Sequence, residues 1–294
     1  MPCVEECSSN TTNLVANLYF LARDPKYATV KPYTVRFDPK GKFPYTNIDN
    51  VKHSVELSNL RPNLNKLSSE FTIEKNCFQI LTIPERMTYA DFENDDIFRS
   101  VHIPHILTTL QAELKAKHIH VLDYRVRKRD ENFPVRSEQQ YEFLQPSSRV
   151  HIDYTAEAVR KTVRGYYGEE AGEILDRPWQ VINVWHPIRG PCVDWPLAVC
   201  DAATVDFIQD TMASDFVDSW GYSENIQVHY NEAQRWYYLE NQMPNELLVF
   251  KSADSEDGKL GVRPAAPHGS FDNPDKTAAD LPRQSVELRL LVTF

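Results

Sequence analysis

Arg149-Val150-His151-Ile152-Asp153-Tyr154-Thr155 is the stretch on which the reading of this chain turns. Side chains alternate faces along an extended strand, so His151 and Asp153 share one face while Val150, Ile152 and Tyr154 line the other. Their Cα atoms then lie about 6.6 Å apart, close enough for both side chains to bend onto one ion. A third donor, His268, follows far downstream in Pro267-His268-Gly269-Ser270-Phe271. Two imidazoles and a carboxylate that occupy one face of an octahedron, with the other positions open, make the facial triad of non-haem iron(II) sites. Taken alone, His-x-Asp is weak, because the chain carries nine histidines and 42 acidic residues. A hydrogen-bonded pair on a strand accounts for it equally well.

The C-terminal run Arg283-Gln284-Ser285-Val286-Glu287-Leu288-Arg289-Leu290-Leu291-Val292-Thr293-Phe294 adds weight. Alternation puts Arg283, Ser285, Glu287 and Arg289 on one face, with Val286, Leu288, Leu290 and Val292 on the other. Charge facing inward is costly unless it is paired or meets an anion. The planar guanidinium suits bidentate carboxylate binding. If 2-oxoglutarate chelates the metal through its C1 carboxylate and keto oxygen, its distal carboxylate needs such a partner. Arg283 with the Ser285 hydroxyl fits that role, and Arg289 is the alternative. An exposed strand face carrying an Arg–Glu pair is the bland reading.

Composition narrows the class. A chain of 294 residues with 41% hydrophobic and 11% aromatic residues has material for a sizeable core. A net charge of -10 disfavours nucleic acid and anionic membranes as partners. The longest apolar runs, Leu247 to Phe250 and Leu288 to Val292, are too short to span a bilayer. No basic segment followed by an apolar stretch opens the chain, so a cytoplasmic location is expected. Cys3, Cys7, Cys77, Cys192 and Cys200 form no C-x-x-C pair, which favours free thiols over disulfides or zinc. A small-molecule substrate is the expected partner, and a homodimer is left open.

Residues 1 to about 50 read as loop-rich, with one apolar stretch at Leu14 to Leu21. Ser69 to Ile73 and Phe78 to Thr82 are strand-like, and Ile103, Ile106, Leu107, Leu110 and Leu114 predict a helix over Ile97 to His118. His118 and His120 share a strand face but lack a partner carboxylate at matching spacing, so they read as structural. Arg125 to Glu131 reads as a solvated strand end or turn. Thr155 is placed to cap a helix through Val159 and Val163 to Tyr167, stopped by Gly168. Trp179 to His186 returns as a strand whose Asn183 needs a polar partner, cosubstrate or backbone. A helix over Ala202 to Met212 follows, then strands at Ile226 to Tyr230, Arg235 to Leu239 and Glu246 to Phe250, and an acidic turn at Asp254 to Gly261. Short strands with turn signals predict a mainly β fold with flanking helices, a jelly-roll or double-stranded β-helix core. One domain is expected over 1–294, with 1–100 as an extension packed on a barrel core of 118–294.

From about Val121 to Phe294 the chain resembles the fungal hydroxylase/desaturase family of secondary metabolism, related to gibberellin-desaturase-like proteins and the 7-hydroxylase component of cephamycin biosynthesis. The resemblance rests, in order, on Val150 to Thr155, Asn183-Val184-Trp185, Asp194 to Asp201, Arg235-Trp236-Tyr237-Tyr238, Lys251 to Ser255, His268 to Pro274 and Arg283 to Arg289. It implies a cupin-like double-stranded β-helix holding iron(II) at His151, Asp153 and His268. It also implies use of 2-oxoglutarate and dioxygen, with release of succinate and carbon dioxide, and hydroxylation, desaturation or ring closure at an unactivated C–H bond. Arg283, Ser285, Arg289 and Asn183 are the cosubstrate-binding candidates. Trp185, His186, Trp236, Tyr238 and Phe271 are the pocket-wall candidates, with core packing as their alternative. Two positions depart from the family pattern. Trp185-His186-Pro187 stands where Trp-Arg-Pro is expected, and His268-Gly269-Ser270-Phe271 where His-Thr-Ala-Phe is expected. An iron oxidase of the same fold that uses no 2-oxoglutarate, a non-catalytic small-molecule-binding barrel and a zinc hydrolase are the competing readings.

Overall fold

Val286, Leu288, Leu290 and Val292, the apolar face of the last strand, are fully buried against a helix. In the computed structural model, which describes residues 13–66, 70–85, 87–134 and 141–294, that strand organises the smaller of two sheets. The strands, numbered in chain order, are β1 (Leu14–Leu21), β2 (Tyr33–Val35), β3 (Asn50–Asn59), β4 (Phe78–Thr82), β5 (His118–Lys128), β6 (His151–Ile152) and β7 (Trp179–Pro187). There follow β8 (Leu197–Cys200), β9 (Thr211–Asp218), β10 (Gly221–Val228), β11 (Trp236–Tyr238), β12 (Glu246–Asp254), β13 (His268–Ser270) and β14 (Gln284–Thr293). The small sheet runs β4-β12-β7-β14-β5 and the large one β1-β3-β11-β8-β13-β6-β10-β9-β2. Face to face they make the mainly β jelly roll with flanking helices expected from the sequence.

Helix α1 (Ile103–Leu114) lays Ile103, Ile106 and Leu110 over the outer face of the small sheet, against Ile182, Val184, Val249 and Leu288. The apolar spacing of three and four residues therefore does what it predicts. The helix is entered through a π turn at Phe98–His102 and ends at Lys115 in a left-handed conformation (φ 54°). Helix α2 (Ala156–Tyr167) begins where Thr155 accepts from Ala158 N and stops at Gly168, whose φ of 52° suits glycine. Its Val159 and Val163 pack on Trp179, Val181 and Leu291, closing one end of the space between the sheets.

Three expectations change. No helix spans Ala202 to Met212. A single 3-10 turn, Ala202–Thr204, precedes β9, because Asp206 draws its carboxylate onto the Ile208 and Gln209 N–H groups and offers the backbone a turn instead. Phe71 to Ile73 are not strand: Phe71 stacks on Phe78 with centroids 4.9 Å apart, and the Thr72 carbonyl closes a turn with Asn76 N. Ser69, Cys3 and Cys7 lie outside the described residues. Finally, Arg125 to Lys128 are not a solvated end. They continue β5, half-buried and paired with Gln284 to Glu287 of β14. No helix among the described residues is long and apolar enough to cross a membrane. Cys77, Cys192 and Cys200 are free and buried.

His186 and His102 meet through their Nε2 atoms at 2.9 Å under α1. His186 Nδ1 donates to the Pro187 carbonyl at 2.8 Å, so its Nε2 accepts and His102 donates. Burial, and then the charge of His186, lowers His102 to about 3, and burial lowers His186 to about 4. The unfolded chain binds these protons near pH 6.5, so stability present above that pH is lost as pH falls toward the folded values. From about 1.4 kcal/mol per pH unit, each histidine costs up to about 2 kcal/mol at pH 5. We expect the melting temperature to fall between pH 7 and pH 5, and the fall to be shallower in the His102→Leu/His186→Leu double variant. Equal slopes by calorimetry would show that the pair is not the sensor.

Candidate metal centre

His151 and His268 are cross-strand partners: β6 and β13 pair antiparallel with the two residues in register. The same rung continues through Val199 of β8 to Tyr237 of β11, and on the other side to Gln227 of β10. Residues directly opposite one another share a face, so this row points together into the space between the sheets. The imidazole centroids are 4.5 Å apart. Asp153 sits one residue beyond the end of β6 and returns to the same face, with Oδ1 3.5 Å from His151 Nε2. One ligand atom from each of the three lies within 4.8 Å of the others.

The surroundings fix which atoms face the common point. His151 Nδ1 donates to the Arg149 carbonyl (2.8 Å) and His268 Nδ1 to the Ala266 carbonyl (3.2 Å). Both leave an Nε2 lone pair for a metal, the usual outer-shell arrangement of metal-binding histidines. Burial, then His151, hold His268 down at about 3, which keeps it in the neutral form that can ligate. Asp153 Oδ2 receives Arg289 Nε (3.0 Å) and Asn183 Nδ2 (2.6 Å), while Oδ1 receives Arg289 Nη2 alone at 3.1 Å. Oδ1 therefore keeps a lone pair toward the histidines. Burial alone would raise the Asp153 carboxyl. The Arg289 charge and the two imidazoles overcome it and hold the group well below the usual carboxylate range. Ligand atoms around one first-row ion sit roughly 3 Å apart, so a small inward movement completes the triad. The donor set fits iron(II).

Arg289 is thereby a positioning residue for Asp153, held in turn by Glu287 (2.7 Å) and Asp123 (3.4 Å). Of the two arginines left open as cosubstrate anchors, this one is already occupied. Asn183 likewise serves Asp153, a partner that its sequence context does not reveal. Outer-shell partners of this kind are worth 10–100-fold in metal affinity. Arg289→Gln is expected to weaken iron(II) binding by about that factor, read by anaerobic titration with unchanged circular dichroism.

Arg283 is 3% exposed, deeper between the sheets. Its Nη1 donates to the Trp195 carbonyl (2.7 Å) and Ser270 Oγ (2.6 Å), and its charge lies 5.6 Å from the Trp185 ring. Among the described residues Nε has no partner, nor has the Ser285 hydroxyl beside it. Burial pushes the guanidinium down to about 10.

The pocket-wall candidates divide. Trp185 is on the inner face beside Arg283 and packs with Leu197, Val199 and Phe250. Trp236, Tyr238 and Phe271 are not brought to the metal. They lie on the outer face of the large sheet with Phe20, Leu57 and Val150, and Tyr238 meets Phe271 edge-on at 5.6 Å. Trp236 pairs with Cys200 and Tyr238 with Ala198, one residue out of phase with the row that carries His268. His186 also points outward. Both departures from the family pattern therefore concern outer faces, at His186 and Gly269, except that Ser270 supplies an inner hydroxyl to Arg283.

A cavity of about 620 Å3 opens beside the triad, between β5 and the β9–β10 edge of the large sheet, lined by His151, Asp153, Arg125, Arg127, Arg36 and Trp220 among others. Its wall mixes charge with aromatic surface from Tyr154, Tyr166, Phe216 and Trp220, none of them among the pocket-wall candidates. Sequence reading missed Asp123, Arg125 and Arg127. Their i, i+2 spacing was the available signal.

This jelly roll carries an inward cluster of two histidines and one carboxylate, the donor set of a non-haem metal facial triad. The chain matches the family described as oxidoreductase/YMDC permease-like domain over residues 18–293, and it belongs to that family. It is 32% identical to the Fe(II)/2-oxoglutarate-dependent dioxygenase nvfI of Aspergillus novofumigatus, over 51% of this chain and 53% of that one. It is 31% identical to the hydroxylase/desaturase asaB of Aspergillus flavus, over 42% and 60%. The match spans about half the length of nvfI, and 88% of the length of the oxidoreductase AN1597 of Emericella nidulans, to which the chain is 26% identical. Among solved structures, the iron and alpha-ketoglutarate-dependent endoperoxidase NvfI superposes with a TM-score of 0.81 at 24% identity, over 96% of this chain and 98% of that one. That likeness shows the fold.

Proposed function

We propose that this protein is an Fe(II)/2-oxoglutarate-dependent oxygenase that oxidises an unactivated C–H bond of a small natural-product or amino-acid-derived substrate. One observation carries the reading. A preorganised triad shares the inner face with a deeper guanidinium and hydroxyl, Arg283 and Ser285, that form no ion pair or contact with an acid side chain among the described residues. The names of the relatives agree with it.

In this reading His151, Asp153 and His268 hold iron(II), which with 2-oxoglutarate and dioxygen supplies the oxidising chemistry. The residues do the rest. Arg289 and Asn183 fix Asp153 so that one oxygen stays turned to the histidines. Arg283 and Ser285 take the distal carboxylate of 2-oxoglutarate, with Trp185 against the guanidinium. The cavity on the β5 side receives the organic substrate.

Anaerobic addition of iron(II) and 2-oxoglutarate is expected to give the visible charge-transfer band of the chelate, and air then to yield succinate. Folded protein that binds iron(II) without the band would remove 2-oxoglutarate from the account and leave an oxidase of the same fold.

A further inference from the structure

β5 and β14 present a ladder of charge to the cavity. In register, Asp123 stands opposite Arg289, Arg125 opposite Glu287 and Arg127 opposite Ser285. The first rung closes as an ion pair at 3.4 Å. On the second, Glu287 turns to Arg289 (2.7 Å) and Arg125 turns back along its own strand to Asp123 (3.3 Å). Two acids thus serve Arg125 and Arg289 between them. The third rung has none. Arg127 faces the Ser285 hydroxyl, and among the described residues its one hydrogen bond runs from Nη1 to the Gln145 carbonyl at 2.8 Å. It enters none of the ion pairs of its neighbours.

A half-buried cation without an acid is costly to keep there unless a ligand meets it. Burial pushes the Arg127 guanidinium below its ordinary value, and the charges of Glu287 and Asp153, with which it forms no ion pair, offset that only in part. The alternation that gives Arg125 an acid withholds one from Arg127, although both share the inner face. Arg127 lines the open cavity with His151 and Asp153, whereas Arg283 is tied behind it to Trp195 and Ser270. The rung of Arg127 lies four strand residues from that of Arg289, roughly 13 Å along the sheet. That distance is a small organic skeleton's length from the metal.

We propose that Arg127 recognises a carboxylate of the organic substrate, so that the enzyme takes free acids in preference to their esters. The proposal rests on the oxygenase reading for its site. A carboxylate here has two sources, the substrate and 2-oxoglutarate, and the open position of Arg127 favours the first.

The test titrates the full chain with 2-naphthoate and with methyl 2-naphthoate by calorimetry, with and without anaerobic iron(II) and 2-oxoglutarate. We expect the acid to bind about tenfold or more tightly than the ester, as a charge-assisted bidentate contact implies. Arg127→Gln erases the preference, Arg127→Lys keeps part of it, and both leave the affinity for 2-oxoglutarate within about twofold of the parent. Equal binding of acid and ester by the parent overturns the proposal, and so does no binding of the acid at millimolar concentration. A loss of 2-oxoglutarate affinity in Arg127→Gln with the acid preference intact also overturns it, since Arg127 then belongs to the cosubstrate. If the Gln variant does not fold, the Lys variant carries the same comparison. Failure of the oxygenase reading shows separately, as a missing charge-transfer band in the parent, while the acid-to-ester ratio still reports on Arg127.

Discussion

His268→Ala should abolish succinate formation, with turnover down on the order of a thousandfold and iron(II) binding lost at micromolar metal. His268 is 2% exposed, in register with His151, and its Nδ1 is fixed by the Ala266 carbonyl, so no neighbouring side chain can supply the missing Nε2. Once the imidazole is gone, Asp153 keeps Arg289 and Asn183, and with the arginine it becomes an ordinary buried salt bridge. The fold is expected to survive. β13 is held by backbone pairing to β8, and the lost ring leaves a small cavity against Phe250, worth about 1–3 kcal/mol. Circular dichroism and the melting temperature check the fold, and metal analysis after anaerobic loading checks the centre. Near-parental turnover in His268→Ala would show that the three side chains do not work as one site.

The sequence made this site legible where chemistry and periodicity coincide. His151 and Asp153 announce their common face through a single intervening residue, and Arg283 to Arg289 through alternation that the structure retains to the end of β14. The jelly roll followed from short strands and turn signals. What stayed hidden was cross-strand phase. Whether Trp236 or Tyr237 faces the metal depends on which residue of β8 it meets, and the register puts Tyr237, not Trp236, in the His268 row. The same blindness hid the use of Arg289. Its partner Asp153 lies 136 residues away, so nothing local distinguishes it from Arg283. The helix expected over Ala202 to Met212 failed for a local reason, the competing turn of Asp206.

The choice between the two arginines leads to the second large effect. Arg283→Met should raise the concentration of 2-oxoglutarate needed for half-maximal rate by about a hundredfold, with a smaller change in the rate at saturation. Breaking a charge-assisted, water-free contact to a carboxylate costs about 2–5 kcal/mol, roughly thirtyfold to several thousandfold, a range that brackets that factor. Arg283 has the environment such a contact needs: a buried cation, an unpartnered Nε and an unpartnered Ser285 hydroxyl. The nearest acid, Asp194, is already engaged by Arg129 and by the Arg283 backbone N–H. The same isolation gives a second readout that an ordinary structural arginine would not produce. A buried charge without an acid costs stability, so the methionine variant should melt at a higher temperature than the parent when no 2-oxoglutarate is present. Saturating 2-oxoglutarate should stabilise the parent and leave the variant unmoved, because only a ligand that binds the folded state shifts its melting. If instead the variant melts lower than the parent and 2-oxoglutarate still stabilises it, Arg283 holds Trp195 and Ser270 in place, and the carboxylate anchor must lie elsewhere.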